Sequence, residues 1–186
     1  MTKAKSSVMT DFGAPILVLV LICAIMSGLL AFTNGITDPI IKKAEEEAKK
    51  AARIEVLPGA DDFEKVEAEG LPAAVTEVYR AKNGAGYTFS LKAQGYGGKG
   101  TLNLTVGIDM DGKITGTKVL SHSETVGLGS KITTDTFKNQ FPGKDASYVS
   151  DIKNIDTISG ATRSSNFYRL ALTYAFEAFD MVKGAA

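Results

Sequence analysis

The sequence has very few of the side chains that build cross-links and metal centres. It contains one cysteine and one histidine, so it cannot form a disulfide within the chain and lacks ligands for a histidine and cysteine metal site. Its 21 basic residues balance its 21 acidic residues. A nucleic-acid-binding protein would need a basic stripe. The composition therefore gives no support to either a metal centre or a nucleic-acid partner.

A long uncharged segment lies near the N-terminus. No charged residue occurs from Phe12 to Thr37, and residues 15–32 read PILVLVLICAIMSGLLAF. As a helix this run would be about 27 Å long, close to the hydrocarbon thickness of a bilayer. A cleaved signal peptide or a lipoprotein anchor fits less well, because no small-residue cleavage site follows and Cys23 lies in mid-span. We predict a short N-terminal tail over residues 1–13 and a transmembrane helix over residues 14–36.

The residues after this segment predict a separate helix. Asp38 suits an N-cap, and Pro39 suits the first helical position. Glutamates at 45–47 precede lysines at 49 and 50 by helical spacing, which favours a solvated helical stalk over residues 38–58. Lysines flank the apolar run on both sides, at 3 and 5 and again at 42 and 43. Counting these lysines together with those at 49 and 50 would keep the large domain in the cytoplasm, but long domains can cross the membrane regardless of such charges, so the orientation stays open.

Residues 61–186 have the pattern of an α+β domain. Strands are predicted over residues 75–81, 87–93, 101–109 and 113–121, and the third strand alternates Leu102, Leu104, Val106 and Ile108 on one face. From Arg163 onward, helical spacing of apolar residues predicts an amphipathic helix. That apolar stripe comprises Phe167, Leu170, Ala171, Tyr174, Ala175, Ala178, Phe179 and Val182. The expected fold is an antiparallel sheet covered by helices, preceded by one N-terminal transmembrane helix and a helical stalk.

Two glycine-bearing loops allow more than one interpretation. GYGGKG, residues 95–100, matches the dinucleotide pattern G-x-G-x-x-G, but an alternating strand follows it instead of a helix, which excludes a Rossmann site. It is either a hairpin connection or a backbone that approaches a flat or phosphorylated ligand, with Tyr96 available for stacking. HSETVGLGS, residues 122–130, is either an ordinary polar loop or a source of ligand contacts. His122 and Glu124 have no nucleophile beside them, so acid–base catalysis has little support.

A third loop, SGATRSS, residues 159–165, comes just before the final predicted helix. Amide groups and the positive dipole end favour an anion there. Gly160 and Ala161 are small enough to let a phosphate approach the backbone, and Arg163, Ser164 and Ser165 can add donors. The residues by themselves are compatible with reversible phosphate binding or with a simple helix cap, which is the commoner arrangement.

Together the three loops resemble the signature motifs of the FMN-binding domain family. S-G-A-T-x-S-S, preceded by Asp156, is similar to its flavinylation motif, and GYGG and H-S-E-T-x-G-L-G are similar to its other two loops, in the same order. Val126 stands where that family usually has proline. Within the family, the chain most resembles the G subunits of Rnf-type complexes, ion-pumping assemblies that link ferredoxin and NAD.

The resemblance implies FMN attached to Thr162 through a phosphoester bond that a flavin transferase installs. It implies an electron-transfer protein without catalytic side chains of its own, which works with the other membrane and iron–sulfur subunits of the complex. It places the protein in the cytoplasmic membrane as a single-pass protein with the flavin domain on the outer face. The implied cofactor-binding residues are Tyr96, Gly97, His122, Glu124, Thr125, Gly127, Leu128, Asp156, Ser159, Gly160, Ala161, Thr162 and Ser165.

Other functions are also compatible with these residues. The C subunits of sodium-pumping NADH:quinone oxidoreductases share the anchor, the motif and the flavin, although they are typically longer. An anchored binding module without redox activity would use Thr162 only as a cap, and an independent flavin reductase would turn over NADH by itself.

Overall fold

The structure, a computed structural model, describes residues 12–184. Residues 1–11, which make up most of the predicted N-terminal tail, and the last two residues lie outside the described part. The chain divides into one compact unit that ends at Glu46 and a second that begins at Glu47.

Helix α1 spans Ala14–Val56. It is long and apolar enough to cross a membrane, with a mean hydropathy of 2.8 over an 18-residue window, and none of that window is buried against protein. Its large apolar side chains from Ile16 to Ile41 are exposed. Length and composition thus make α1 a candidate membrane helix, as the sequence predicts.

The predicted interruption at Asp38 is wrong, because α1 continues through Pro39. Proline lacks the N–H for one helical hydrogen bond. Two threonine hydroxyls bond to backbone carbonyls in the turns just before it: Thr33 Oγ1 donates to Leu29 O at 2.9 Å, and Thr37 Oγ1 donates to Thr33 O at 2.5 Å. Asp38 does not begin a helix; it forms an ion pair with Lys42 one turn later, at 2.7 Å. The residues that resemble a helix start are therefore accommodated inside a longer helix.

The second unit is built on a five-stranded antiparallel sheet with the strand order β1-β2-β3-β4-β5. The strands are β1 Phe63–Val66, β2 Val75–Ala81, β3 Gly86–Gly95, β4 Gly98–Asp109 and β5 Ile114–His122. The four predicted strands are confirmed, and β1 is an additional edge strand. Three helices follow, α2 Asp135–Lys138, α3 Ala146–Ser150 and α4 Thr162–Lys183, together with short 3-10 helices at Gly129–Thr133 and Ile152–Asn154. The predicted α+β class is thereby confirmed.

The core lies between the sheet and α4. The predicted inward residues of β4, Leu102, Leu104, Val106 and Ile108, are all buried. The buried face of α4 differs partly from the prediction, because Phe167, Leu170 and Tyr174 are only partly buried. Tyr168, Leu172 and Phe176 are buried in addition to the predicted Ala171, Ala175, Ala178, Phe179 and Val182. Periodicity alone could not distinguish these neighbouring positions, since apolar residues occur on both sides of the stripe.

Tyr168 shows what fixes this rotation of α4. Its ring packs against those of Phe137 and Phe141, with a centroid distance of 5.2 Å to each. Burial raises the pKa of the Tyr168 phenol well above its usual range, so the hydroxyl stays protonated and donates to Thr117 Oγ1 at 2.7 Å. The partners lie in α2, after α2 and in β5, all far from Tyr168 in sequence.

The end of α1, from Glu47 onward, packs against the second face of the sheet. Arg53 lies 3.6 Å from the centroid of the Tyr79 ring, and both Lys49 and Arg53 pair with Glu77. The Thr115 hydroxyl donates to Val56 O. The prediction of a solvated stalk is therefore wrong for this last part of α1.

Replacing Gly107 with alanine should destabilise the domain by about 1–3 kcal/mol, the usual cost of overpacking. A Cβ atom at Gly107 would overlap Val56 O and Thr115 Oγ1, so the end of α1 would have to move away from the sheet. Gly116→Ala is the matched control, because its Cβ would lie 3.0 Å from Val56 Cα and O and would require a smaller shift. Urea unfolding of the detergent-solubilised chain measures both losses. Equal midpoints for Gly107→Ala and the unchanged protein would contradict this account of the packing.

Candidate functional site

A cavity of about 410 Å³ lies where three segments of the second unit meet. The segments are the β3–β4 turn, the loop that follows β5, and the start of α4. Its lining comprises Tyr96, Thr125, Leu128, Gly129, Gly160, Ala161, Thr162, Arg163 and Ser164. The fold thus brings together residues from all three glycine-bearing loops. Gly129 was not predicted as a site residue, although it follows directly in the same G-L-G motif.

The remaining predicted residues do not line the cavity. They are Gly97, His122, Glu124, Gly127, Asp156, Ser159 and Ser165. Asp156 and Ser159 are exposed to solvent. The single histidine is engaged with the backbone, because the Glu124 N–H donates to His122 Nδ1 at 3.2 Å.

Thr162 is the first residue of α4, and its side chain does not cap the helix. The N-cap position is Ala161, and no side chain there bonds to the helix amides. The first intrahelical bond runs from Ser165 N to Ala161 O, at 3.0 Å. The amides of Thr162, Arg163 and Ser164 therefore precede the helical ladder and have no helical acceptor. The simple-cap interpretation of Thr162 does not hold in this structure.

The electrostatics of this helix end favour an anion. The first turn of α4 contains no acidic residue, although Asp and Glu are the side chains that usually stabilise this position. It contains Arg163 instead, whose guanidinium carbon lies 5.6 Å from the Tyr96 ring centroid and 5.8 Å from that of Phe167. A positive side chain and the positive end of the dipole thus lie beside the exposed Thr162.

The loop before α4 is fixed by hydrogen bonds to two side chains, those of Ser165 and Gln140. Ser165 Oγ accepts from Ile158 N at 3.1 Å and donates to Ala161 O at 3.1 Å, so this buried hydroxyl braces the loop. Asp156 is held through its backbone: Gln140 Oε1 accepts from Asp156 N at 2.8 Å. Gln140 is a supporting residue that no sequence motif indicated, because it lies in a different loop.

The β3–β4 turn forms the opposite wall. Strands β3 and β4 run up to the Gly95–Gly98 pair, which leaves Tyr96 and Gly97 as the two turn residues. The Tyr96 side chain is 58% exposed beside the cavity. Gly97 allows the turn to pack on the next loop, because a Cβ there would lie 3.0 Å from Ser123 Cβ. The hairpin interpretation of GYGG is correct, and it also places an aromatic ring at the cavity.

The loop after β5 is a compact turn with an apolar rim. Thr125 O accepts from Leu128 N at 3.2 Å and from Ser130 N at 3.1 Å. Gly127, with φ of 78°, supplies the left-handed conformation that closes this turn. Val126 is 90% exposed, so the residue that replaces the usual proline makes little contact with the domain. Leu128 extends from the turn to line the cavity.

Comparison with known proteins identifies the family. Residues 95–177 match the FMN-binding domain family, a stretch that contains all three loops of the cavity. The chain is 37% identical over 161 residues to the G subunit of an ion-translocating oxidoreductase complex from Methanosarcina acetivorans, and the alignment covers 81% of this chain and 85% of that relative. The chain belongs to the family of these G subunits.

Two further G subunits show similar coverage. One, from the Na(+)-translocating ferredoxin:NAD(+) oxidoreductase complex of Acetobacterium woodii, is 32% identical and aligns over 84% of this chain and 79% of its own length. Another, from the proton-translocating ferredoxin:NAD(+) oxidoreductase complex of Clostridium ljungdahlii, is 30% identical over 79% of this chain and 80% of its own length. Membership of the G-subunit family thus rests on most of the chain and not on the three loops alone.

The cavity fits the cofactor that the family description names. Its volume lies within the usual range for small-molecule sites. Its lining includes Thr162 and Arg163, which suit a phosphate, and Tyr96 and Leu128, which suit a flat ring system. FMN has these two parts, so the residues present match the chemistry of the group.

Proposed function

We propose that this chain is an electron-transfer subunit of an Rnf-type complex and carries FMN covalently at Thr162. The observation that carries the proposal is the position of the Thr162 side chain, at the uncapped start of α4 and on the wall of a cavity of suitable size. The names of its relatives support the assignment to an ion-translocating oxidoreductase.

In this proposal the phosphate lies at the start of α4. The amides of the first turn and the Arg163 guanidinium hold its negative charge, and Gly160 and Ala161 leave room for it near the backbone. Tyr96, Thr125 and Leu128 would hold the ring system, and their side chains would exclude water from part of its surface. FMN supplies the redox chemistry when bound, whereas the protein sets its position and electrostatic environment.

Attachment requires an activated flavin donor. The Thr162 Oγ1 atom attacks the FMN phosphorus of a flavin dinucleotide, a P–O bond of its pyrophosphate breaks, and a nucleoside monophosphate leaves. The hydroxyl proton passes to a base of the flavin transferase or to water. The product is a phosphoester that keeps one negative charge beside Arg163. No redox change accompanies this step.

During turnover the protein accepts electrons from a reduced carrier in one partner and passes them to an oxidised carrier in another. The partners we propose are the membrane and iron–sulfur subunits of the complex, with a flavin transferase acting during maturation. None of the described side chains is required as a general acid, base or nucleophile in this transfer.

We further propose that α1 anchors the chain as a single span in the cytoplasmic membrane, with the flavin domain on the outer face. The apolar part of α1 has the length and hydropathy for this role. Covalent attachment suits a domain outside the cytoplasm, where a free cofactor would be lost. A cysteine introduced in the domain should react with a membrane-impermeant reagent in intact cells, and protection of that cysteine would place the domain inside.

Intact-mass measurement tests the central proposal. The chain co-produced with a flavin transferase should gain the mass of one FMN less one water, and its denatured band should fluoresce as flavin. Without the transferase it should have the mass of the bare polypeptide. An unmodified chain in both preparations would rule out the covalent attachment and would favour the anchored binding module.

A further inference from the structure

Glu124 is a buried acidic side chain that the proposed electron transfer does not use. Its side chain is among the buried polar groups, with 6% of the residue exposed. Each carboxylate oxygen has a partner on a different segment: Oε1 accepts from the Tyr96 backbone N–H at 2.8 Å, and Oε2 accepts from the Ser164 hydroxyl at 2.5 Å. We call this arrangement the Glu124 bridge. It joins the β3–β4 turn, the loop after β5 and the first turn of α4.

Both arms of the Glu124 bridge end next to the cavity. Tyr96 lines the cavity itself, and Ser164 lies two residues after Thr162 in the same helical turn. Glu124 does not line the cavity. Its carboxylate therefore acts on the position of the lining residues and not directly on whatever occupies the space.

Two glycines provide the room for this carboxylate. A Cβ atom at Gly95 would lie 2.6 Å from Glu124 Oε1, and one at Gly129 would lie 2.7 Å from Oε2 and 2.6 Å from Ser164 Oγ. Real side chains do not approach so closely, so any larger residue at either position would displace the bridge. Gly95 belongs to the first motif and Gly129 to the second, which ties both loops to the same buried group.

We propose that Glu124 is a positioning residue that holds Thr162 and the cavity wall in the geometry needed for flavin attachment. This inference rests on the proposed attachment at Thr162. The bridge fixes Ser164 and Tyr96 through two hydrogen bonds to one buried side chain. Without it, the Tyr96 N–H and the buried Ser164 hydroxyl lose their acceptor, and the three segments are no longer held together.

Four variants of the full-length, detergent-solubilised chain separate this role from general stability. Glu124→Ala removes both arms, and Ser164→Ala removes one. Glu124→Gln keeps both, because its oxygen still accepts from Tyr96 and its amide can donate to the Ser164 oxygen. Tyr168→Phe is the matched control, since it removes a buried hydrogen bond to Thr117 without touching the bridge.

The measurement is the rate of FMN transfer to each purified chain by a flavin transferase with a flavin dinucleotide donor, followed by intact mass. We expect Glu124→Ala to lower kcat for transfer by about tenfold or more, which corresponds to a modest rise in the barrier. Ser164→Ala should lose several-fold, whereas Glu124→Gln and Tyr168→Phe should stay close to the unchanged chain. Amide exchange at Tyr96 should rise in Glu124→Ala and not in Tyr168→Phe.

The outcomes distinguish the proposed role of Glu124 from the proposed attachment of FMN at Thr162. If the unchanged chain takes up FMN and Glu124→Ala does so at the rate of Tyr168→Phe, the role of Glu124 is overturned while attachment at Thr162 stands. Equal losses in Glu124→Gln and Glu124→Ala would also overturn it, because charge and not the bridging geometry would then be decisive. Should Glu124→Ala fail to fold, full transfer to Ser164→Ala would overturn it instead. An unchanged chain that takes up no FMN would overturn both proposals.

Discussion

Thr162→Ala is expected to abolish covalent FMN completely, because it removes the oxygen that forms the phosphoester bond while leaving the cavity almost unchanged. Thr162 is exposed at the first position of α4, so loss of its hydroxyl and methyl group should change stability by less than about 0.5 kcal/mol, as for most surface positions. The variant should therefore fold normally and still lack flavin. Intact mass and flavin fluorescence of the denatured band measure the loss.

Thr162→Ser is the matched control for this prediction. Serine keeps an oxygen at the same position, so the phosphoester can still form, and only the methyl group that restricts the side-chain rotamer is lost. We expect attachment to persist in this variant, at a reduced rate. If Thr162→Ala carried as much FMN as the unchanged chain, the attachment site would have to be another hydroxyl. The exposed Ser159 would then be the first to examine, since Ser164 and Ser165 are buried.

Phe141→Ala should cause the largest loss of stability, about 3–5 kcal/mol, the usual range for removing a buried phenylalanine ring. Phe141 has 0% of its surface exposed. Its ring stacks on Tyr168 with centroids 5.2 Å apart and meets Phe137 edge-on at 5.5 Å. Removal leaves a cavity beneath Tyr168, in the second turn of α4, that the neighbouring rings cannot fill.

Urea unfolding of the full chain in detergent, followed by near-ultraviolet tyrosine circular dichroism, measures this loss. The tyrosine signal is suitable because the chain has no tryptophan. The same substitution at Phe63, which is only partly buried in edge strand β1, should cost roughly 1 kcal/mol. Similar losses of stability at Phe141 and Phe63 would show that the packing of Phe141 against Tyr168 does not hold α4 in place.

The sheet shows which strands the alternation of apolar and polar residues can locate and which it cannot. Alternation located β2 at its observed bounds and identified the buried residues of β4. It ended β3 and began β4 too far from the turn, because glycines at 95 and 98 normally indicate a loop. It missed β1, whose sequence FEKV is short and charged, as is common for an edge strand. Pairing with β2 makes this segment a strand, and local propensity does not reveal that pairing.

Helix α1 shows both what a local sequence pattern reveals and where it misleads. Its apolar run was evident from composition, since an uncharged stretch of this length is typical of a membrane-spanning helix. The Asp38-Pro39 pair has the pattern of a helix start, but a helix already in progress can accommodate both residues. The contacts of Lys49, Arg53 and Val56 with the sheet were also hidden, because the partners lie in strands far along the chain.

The sequence by itself determined the apolar helix, the α+β class, and the three loops whose order and spacing match the FMN-binding domain family. Those features are local, so residue type and periodicity are enough to find them. Only the tertiary structure decided that the loops enclose one cavity and that Thr162 begins α4 without capping it. It also decided that Glu124 bonds to Tyr96 and Ser164 without lining the cavity. The two partners of Glu124 are 28 and 40 residues away in sequence. Such hydrogen bonds depend on how the sheet and α4 pack, which no short motif encodes.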